Sequence, residues 1–197
     1  GWYSMFGTTT GYANVAIGLS ALQVQTTGHE NVAIGHQSLD ALTTGSLNTV
    51  IGRAAGGAVT TGNDNVALGY LALNLNTKSN RNVAIGSEAL KTLNVTSDTH
   101  VYNTAVGYAA GQAVTTGTLN TLIGGLTGDA LTTGGENVAV GYNALSTEDT
   151  GVGNVAIGRN ALTTANYDGA GYNTAVGYIA GAAVTTGVNN TIIGALA

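Results

Sequence analysis

The sequence predicts an all-β protein, a parallel β-solenoid of about ten 17-residue coils, and three observations carry that prediction. A five-residue block, N-[VT]-[AVIL]-[IVL]-G, recurs with its Asn at positions 14, 31, 48, 65, 82, 103, 120, 137, 154, 173 and 190. The chain holds 31 glycines and no proline, and a 17-residue unit is too short for two packed helices. Within the unit, β-branched residues, a glycine corner and Thr-Thr-Gly alternate in fixed order, which is the pattern of short strands and turns.

Composition excludes the competing classes. Charged residues make up only 8% and apolar ones 44%, the reverse of a disordered chain. Without Pro and without a three-residue Gly period, collagen is excluded. No cysteine is present, so there is no disulfide framework, thiolate metal site or cysteine nucleophile. No apolar run has the length of a membrane helix, no signal peptide is visible, and five basic residues in a net charge of −5 disfavour nucleic acid.

The coil is read from its Asn, which is slot one. Slot two is Val or Thr, slot three usually Ala (Ala16, Ala33, Ala67, Ala84), slot four Ile, Val or Leu, and slot five always Gly. Slot eight is small (Ala21, Ser38, Ala55), and slots thirteen to fifteen often read Thr-Thr-Gly, as in Thr26-Thr27-Gly28 and Thr115-Thr116-Gly117. The expected coil is one strand, a glycine corner, a second short strand and a turn, hydrogen-bonded to the coils above and below. At about 4.8 Å per rung the rod is roughly 50 Å long. Residues 1–13 read as the end of a preceding coil and 14–197 as a single repeat domain. Two coils are long, with insertions near 94–101 and 164–171, where loops that carry binding elements or tolerated surface variation are both expected.

Slots two and nine covary along the chain. Val pairs with Leu (Val15/Leu22, Val32/Leu39, Val66/Leu73), and Thr pairs with Gly (Thr49/Gly56, Thr104/Gly111, Thr174/Gly181). Contact between the two slots is the steric reading. Slots two and four point one way from the strand and slot three the other, and both faces are apolar. The expectation is a Val/Ile/Leu interior with the alanine face (Ala33, Ala67, Ala139) buried against partner chains, that is, an oligomer. Neither end of the chain carries a polar cap, so the piece reads as a segment of a longer fibre.

With the repeats laid out, the N-V-A-I-G blocks resemble the head repeats of trimeric autotransporter adhesins. The unit Asn103-Thr104-Ala105-Val106-Gly107-Tyr108-Ala109-Ala110-Gly111, running to Thr115-Thr116-Gly117, is similar to repeats of phage tail-fibre proteins. Autotransporter repeats are usually shorter and often carry Ser after the Asn, where this chain has Val or Thr, so the phage fibre is the nearer likeness. The resemblance implies a β-roll, a homotrimer, an extracellular or virion-surface location, and service as a shaft or host-attachment region.

Candidate sites are few. The Asn ladder reads as structural, each amide bonding its counterpart or the turn backbone. Slot six varies most, and its aromatic and basic members, Tyr70, Tyr108, Tyr142, Tyr178, Arg53 and Arg159, are candidates for contacting a cell-surface glycan or receptor. Thr26, Thr43, Thr60, Thr115, Thr132 and Thr185 form a rank that suits an ice-binding face as the alternative function, and a self-assembling filament subunit is a further one. The scattered carboxylates and the partnerless His29, His36 and His100 give no catalytic constellation, and no calcium repeat is present. No enzyme activity, metal or cofactor is expected.

Overall fold

The computed structural model describes residues 1–97 and 99–197; position 98, inside the insertion expected near 94–101, lies outside the described residues. Eleven three-residue strands form one parallel sheet in sequence order. They are β1 (Val15–Ile17), β2 (Val32–Ile34), β3 (Thr49–Ile51), β4 (Val66–Leu68), β5 (Val83–Ile85), β6 (Thr104–Val106), β7 (Thr121–Ile123), β8 (Val138–Val140), β9 (Val155–Ile157), β10 (Thr174–Val176) and β11 (Thr191–Ile193). Equivalent slots pair directly, Val32 with Thr49 and Ala33 with Val50. This register makes every slot a straight column along the rod. The β-solenoid expected from the 17-residue period is the fold observed.

Both insertions leave the register untouched: Val83 still pairs with Thr104, and Val155 with Thr174. Each long coil rejoins the ladder through an isolated parallel bridge, Asn80 with His100 and Val152 with Ala170. The extra residues are therefore absorbed between slot twelve and the next strand.

The strand faces are the reverse of those expected. Ala33, Ala67, Ala84, Ala105, Ala139, Ala156 and Ala175 are fully buried within the single chain, so slot three points into the coil. Slots two and four point outward, with Val15 and Ile17 exposed at one end of the rod and Ile51, Ile123 and Ile157 partly exposed along it. The alanine face is thus the lining of a narrow interior, where only a small side chain fits opposite the leucines of slot nine. It is not a surface free to meet another chain.

The second half of each coil is not a strand. It is a run of turns in which slots seven and nine, and the residue before each Asn, adopt positive φ whatever their identity. Leu22, Leu39, Leu73 and Leu90 sit at φ 46–53° while fully buried. A left-handed non-Gly residue costs roughly 1–2 kcal/mol, and full burial of a leucine returns about 1.5–3 kcal/mol, so burial outweighs the strain. Glycine at slot nine takes the other course. Gly56, Gly111, Gly128 and Gly181 are relaxed at φ 55–62°, and side chains of their own and adjacent coils fill the space they leave.

This geometry corrects the steric reading of the covariation. The atoms nearest a Cβ built on Gly56 belong to Leu39, Val50 and Val59, with none from Thr49. Slot nine lies against slots three, nine and twelve inside the core, while slot two lies outside.

Candidate functional site

Three outward features could serve a function: the strand face, its two borders and the turn ridge. The strand face is built by alternation. Slots two and four of all eleven strands form two parallel columns of Val, Thr, Ile and Leu, and neither column contains a charged residue. Each strand is only three residues long and sits in register on the next, so the two columns run side by side along the sheet.

Slot six borders this face after the glycine corner. Arg53 lies with its guanidinium 5.6 Å from the centre of the Tyr70 ring, one coil on. Arg159 stands 5.7 Å from the ring of Tyr178, and its Nη1 is 3.4 Å from the Tyr178 hydroxyl. Tyr108 and Tyr142 are exposed, and Tyr142 Cδ2 lies 3.7 Å from where a Cβ on Gly125 would stand, so this ring covers the glycine of the preceding coil. The six candidates therefore form two cation–π pairs and two single tyrosines along a ridge. Arg53 and Arg159, six rungs apart, are separated by about 29 Å, so the six do not converge on one pocket.

The residue before each Asn borders the opposite end of the strand, a column that the sequence reading did not single out. Arg81 is held there by Asp64 at 3.6 Å and by the Tyr102 hydroxyl at 2.7 Å, with its guanidinium 5.7 Å from the Tyr102 ring. Leu47, Leu119 and Tyr172 are exposed in the same column.

The threonine rank is drawn into the backbone. The hydroxyls of Thr26, Thr43, Thr60, Thr115 and Thr132 each donate to a main-chain carbonyl one coil on, at 3.0–3.1 Å. Thr185, in the last full coil, is exposed.

The Asn ladder is structural, as its spacing suggests. Asn48 Nδ2 donates to Asn31 Oδ1 at 3.0 Å and to the Gly62 carbonyl at 2.8 Å, while Asn48 Oδ1 accepts from the backbone N–H of Asn65 at 3.0 Å. All three residues are buried.

Two residues at the second insertion lie in the core and were missed. Glu148, at slot twelve, is fully buried; its Oε1 accepts the Gly151 and Asp149 N–H groups at 2.7 and 3.1 Å, and its Oε2 has no partner. Burial pushes its carboxyl above the usual range. Tyr167, from the insertion itself, folds inward: its hydroxyl donates to Asn154 Oδ1 and accepts from Asn173 Nδ2 at 3.1 Å. Burial raises its phenol as well. The signal for Glu148 was available, since slot twelve elsewhere is Leu42, Val59, Leu93 or the buried amides Gln25 and Asn76.

A shallow notch over Gly57 is lined by Gln37, Asp40, Ala54, Ala58 and Asn74. Desolvation there raises the Asp40 carboxyl. Among the described residues no group of three or more His, Asp or Glu side chains is placed to hold a metal ion, and no helix is long and apolar enough to cross a membrane. Compared with family models, curated proteins and solved structures, the chain matches none.

Proposed function

We propose that this chain is a rigid, non-enzymatic segment of an extracellular or virion-surface fibre, of the phage tail-fibre or adhesin kind, that self-associates through the outward strand face and presents its turns to a host surface. The observation that carries the reading is the uncharged double column of slots two and four, continuous over eleven rungs. A strip about 50 Å long and 10–20 Å wide covers roughly 500–1,000 Å², at or above the largest apolar patch usual on a monomer. It is also close to the ~800 Å² that one partner contributes to a stable interface.

The partner-facing surface in this proposal is the Val/Thr–Ile face, because the alanines line the coil. The Tyr/Arg ridge at slot six stays the candidate for glycan or receptor contact where a partner leaves it uncovered. The resemblance of the repeats to trimeric fibres supports a homotrimer.

The test is sedimentation velocity on the wild type and on Ile51→Lys with Ile123→Lys. Both residues are partly exposed, so the variant keeps its circular dichroism. The wild type is expected to sediment as an oligomer and the variant as a monomer. An equal mass for both would overturn the proposed face.

A further inference from the structure

We infer that the charges bordering the strand face fix how a second copy of this chain docks on it: parallel and unshifted, with the slot-six border of one copy beside the pre-Asn border of the next. This rests on the self-association proposed above and adds its orientation and register.

The two borders carry opposite charge. Slot six holds His36, Arg53 and Arg159 and not one acidic residue in eleven coils. The pre-Asn column holds Glu30, Asp64 and Glu136 against one basic residue, Arg81, which pairs with Asp64 Oδ2 and the Tyr102 hydroxyl, so the column keeps a net negative charge and Arg53 would share Asp64 with Arg81. Rotating a copy about an axis parallel to the rod brings unlike borders together at equal height. His36 then shares a rung with Glu30, both flanking β2. Arg53, beside β3, is one rung from Asp64, beside β4, and Arg159, beside β9, is one rung from Glu136, beside β8. One rung is about 4.8 Å, within reach of an arginine.

The antiparallel alternative is penalised by the same residues. Full overlap of two antiparallel copies pairs each strand with the one equally far from β6, so β3 meets β9 and β4 meets β8. Like borders then face each other, and Arg53 is set against Arg159 and Asp64 against Glu136. Like-charge juxtaposition of this kind suppresses wrong partners. The neutral face alone gives no such discrimination, so the borders act as its orientation key.

The chain has no cysteine of its own, which makes disulfide trapping a direct test. Glu136→Cys with Tyr142→Cys places thiols at the two borders of the β8 rung, roughly 15 Å apart along one chain and too far for an internal bridge. Mild oxidation is expected to give covalent oligomers on a non-reducing gel for the double variant and for neither single one. Tyr108→Cys alone, which antiparallel overlap would set against itself at β6, is expected to stay uncrosslinked. As a second readout, Arg53→Glu with Arg159→Glu is expected to raise the concentration of half-assembly about tenfold or more at low salt. Crosslinking of Tyr108→Cys, or an oligomer in which the double variant does not crosslink, would overturn the orientation while leaving self-association intact. A monomer at every concentration would instead remove the reading on which the orientation rests.

Discussion

Replacing Asn48 by Ala tests the internal ladder at its best-connected point. The Asn48 side chain donates to Asn31 Oδ1, the Ser46 carbonyl and the Gly62 carbonyl at 3.0, 3.1 and 2.8 Å. It accepts from Asn65 N and Nδ2 at 3.0 and 3.1 Å. Some of these partners keep a second bond after truncation: Asn31 Oδ1 still accepts from the Asn48 N–H, and Asn65 Nδ2 still donates to the Ser79 carbonyl. The Asn65 N–H and the Gly62 carbonyl lose their partner, and both residues are buried. Each orphaned buried group costs about 1–3 kcal/mol, so with two of them Asn48→Ala is expected to destabilise by about 2–6 kcal/mol. Exposed Thr44→Ala, as a control, should stay within about 0.5 kcal/mol.

The assay is guanidinium denaturation followed by circular dichroism, with hydrogen exchange to locate the loss at the coils of Asn31, Asn48 and Asn65. Asn48→Asp sharpens the test, because it sets an acceptor against the Gly62 carbonyl and Asn31 Oδ1. The folded state then favours the protonated acid, the carboxyl is raised, and stability falls as pH rises through that raised value. A loss below about 1 kcal/mol for Asn48→Ala would refute the ladder as a source of stability.

Gly35 has φ 135°, and a Cβ there would stand 2.5 Å from the Gly52 carbonyl oxygen, so Gly35→Ala should destabilise by at least ~3 kcal/mol in thermal melts. Glu148→Gln should stabilise the protein at pH 7–8 by about 1–2 kcal/mol. Burial raises the Glu148 carboxyl in the fold, so its contribution is intact below the ordinary glutamate range and is lost as pH rises through the raised value; the Gln variant should show a flatter pH–stability curve. Tyr167→Phe removes the hydroxyl between Asn154 and Asn173 and should cost about 1–3 kcal/mol, with faster hydrogen exchange in the insertion near 164–171. Thr43→Val with Thr60→Val should cost about 1 kcal/mol each, and the wild type is expected to show no thermal hysteresis. Hysteresis that disappears in this variant would favour the ice-binding alternative.

The repeat made most of the fold legible, because a 17-residue period with an invariant Asn and Gly in each copy leaves few ways to stack. The insertions were legible as interruptions, but the inward turn of Tyr167 was not, since nothing local distinguishes it from an exposed loop tyrosine. The strand faces were misread for a physical reason. A three-residue strand with Val-Ala-Ile is apolar on both sides, so alternation identifies two faces without saying which is inside. Size was the missing guide: the interior also holds the slot-nine leucines, and only Ala stands opposite them, the larger Val50 and Leu122 occurring where slot nine is Gly56 or Gly128.

The left-handed positions at slots seven, nine and before the Asn were equally hidden. Leu, Ala, Gln, Glu and Tyr occupy most of them, none of which announces positive φ, and the types that do favour it, Asn143, Asn160, Asn189, Asp64 and Gly153, are scattered among these. Glycine at slot nine was the most regular visible trace of that geometry, and the covariation with slot two drew attention to the wrong neighbour. The slot-six residues were found from variability alone, and the structure pairs four of the six.

The most direct test of self-association through the outward face is the solution mass of this chain by light scattering across a wide range of concentrations. A discrete oligomer, independent of concentration above a threshold and lost on lysine substitution at Ile51 and Ile123, is the expected result. A clean 19.5 kDa monomer throughout would contradict it, leaving the double column of Val, Thr and Ile as an exposed surface without a partner of its own kind.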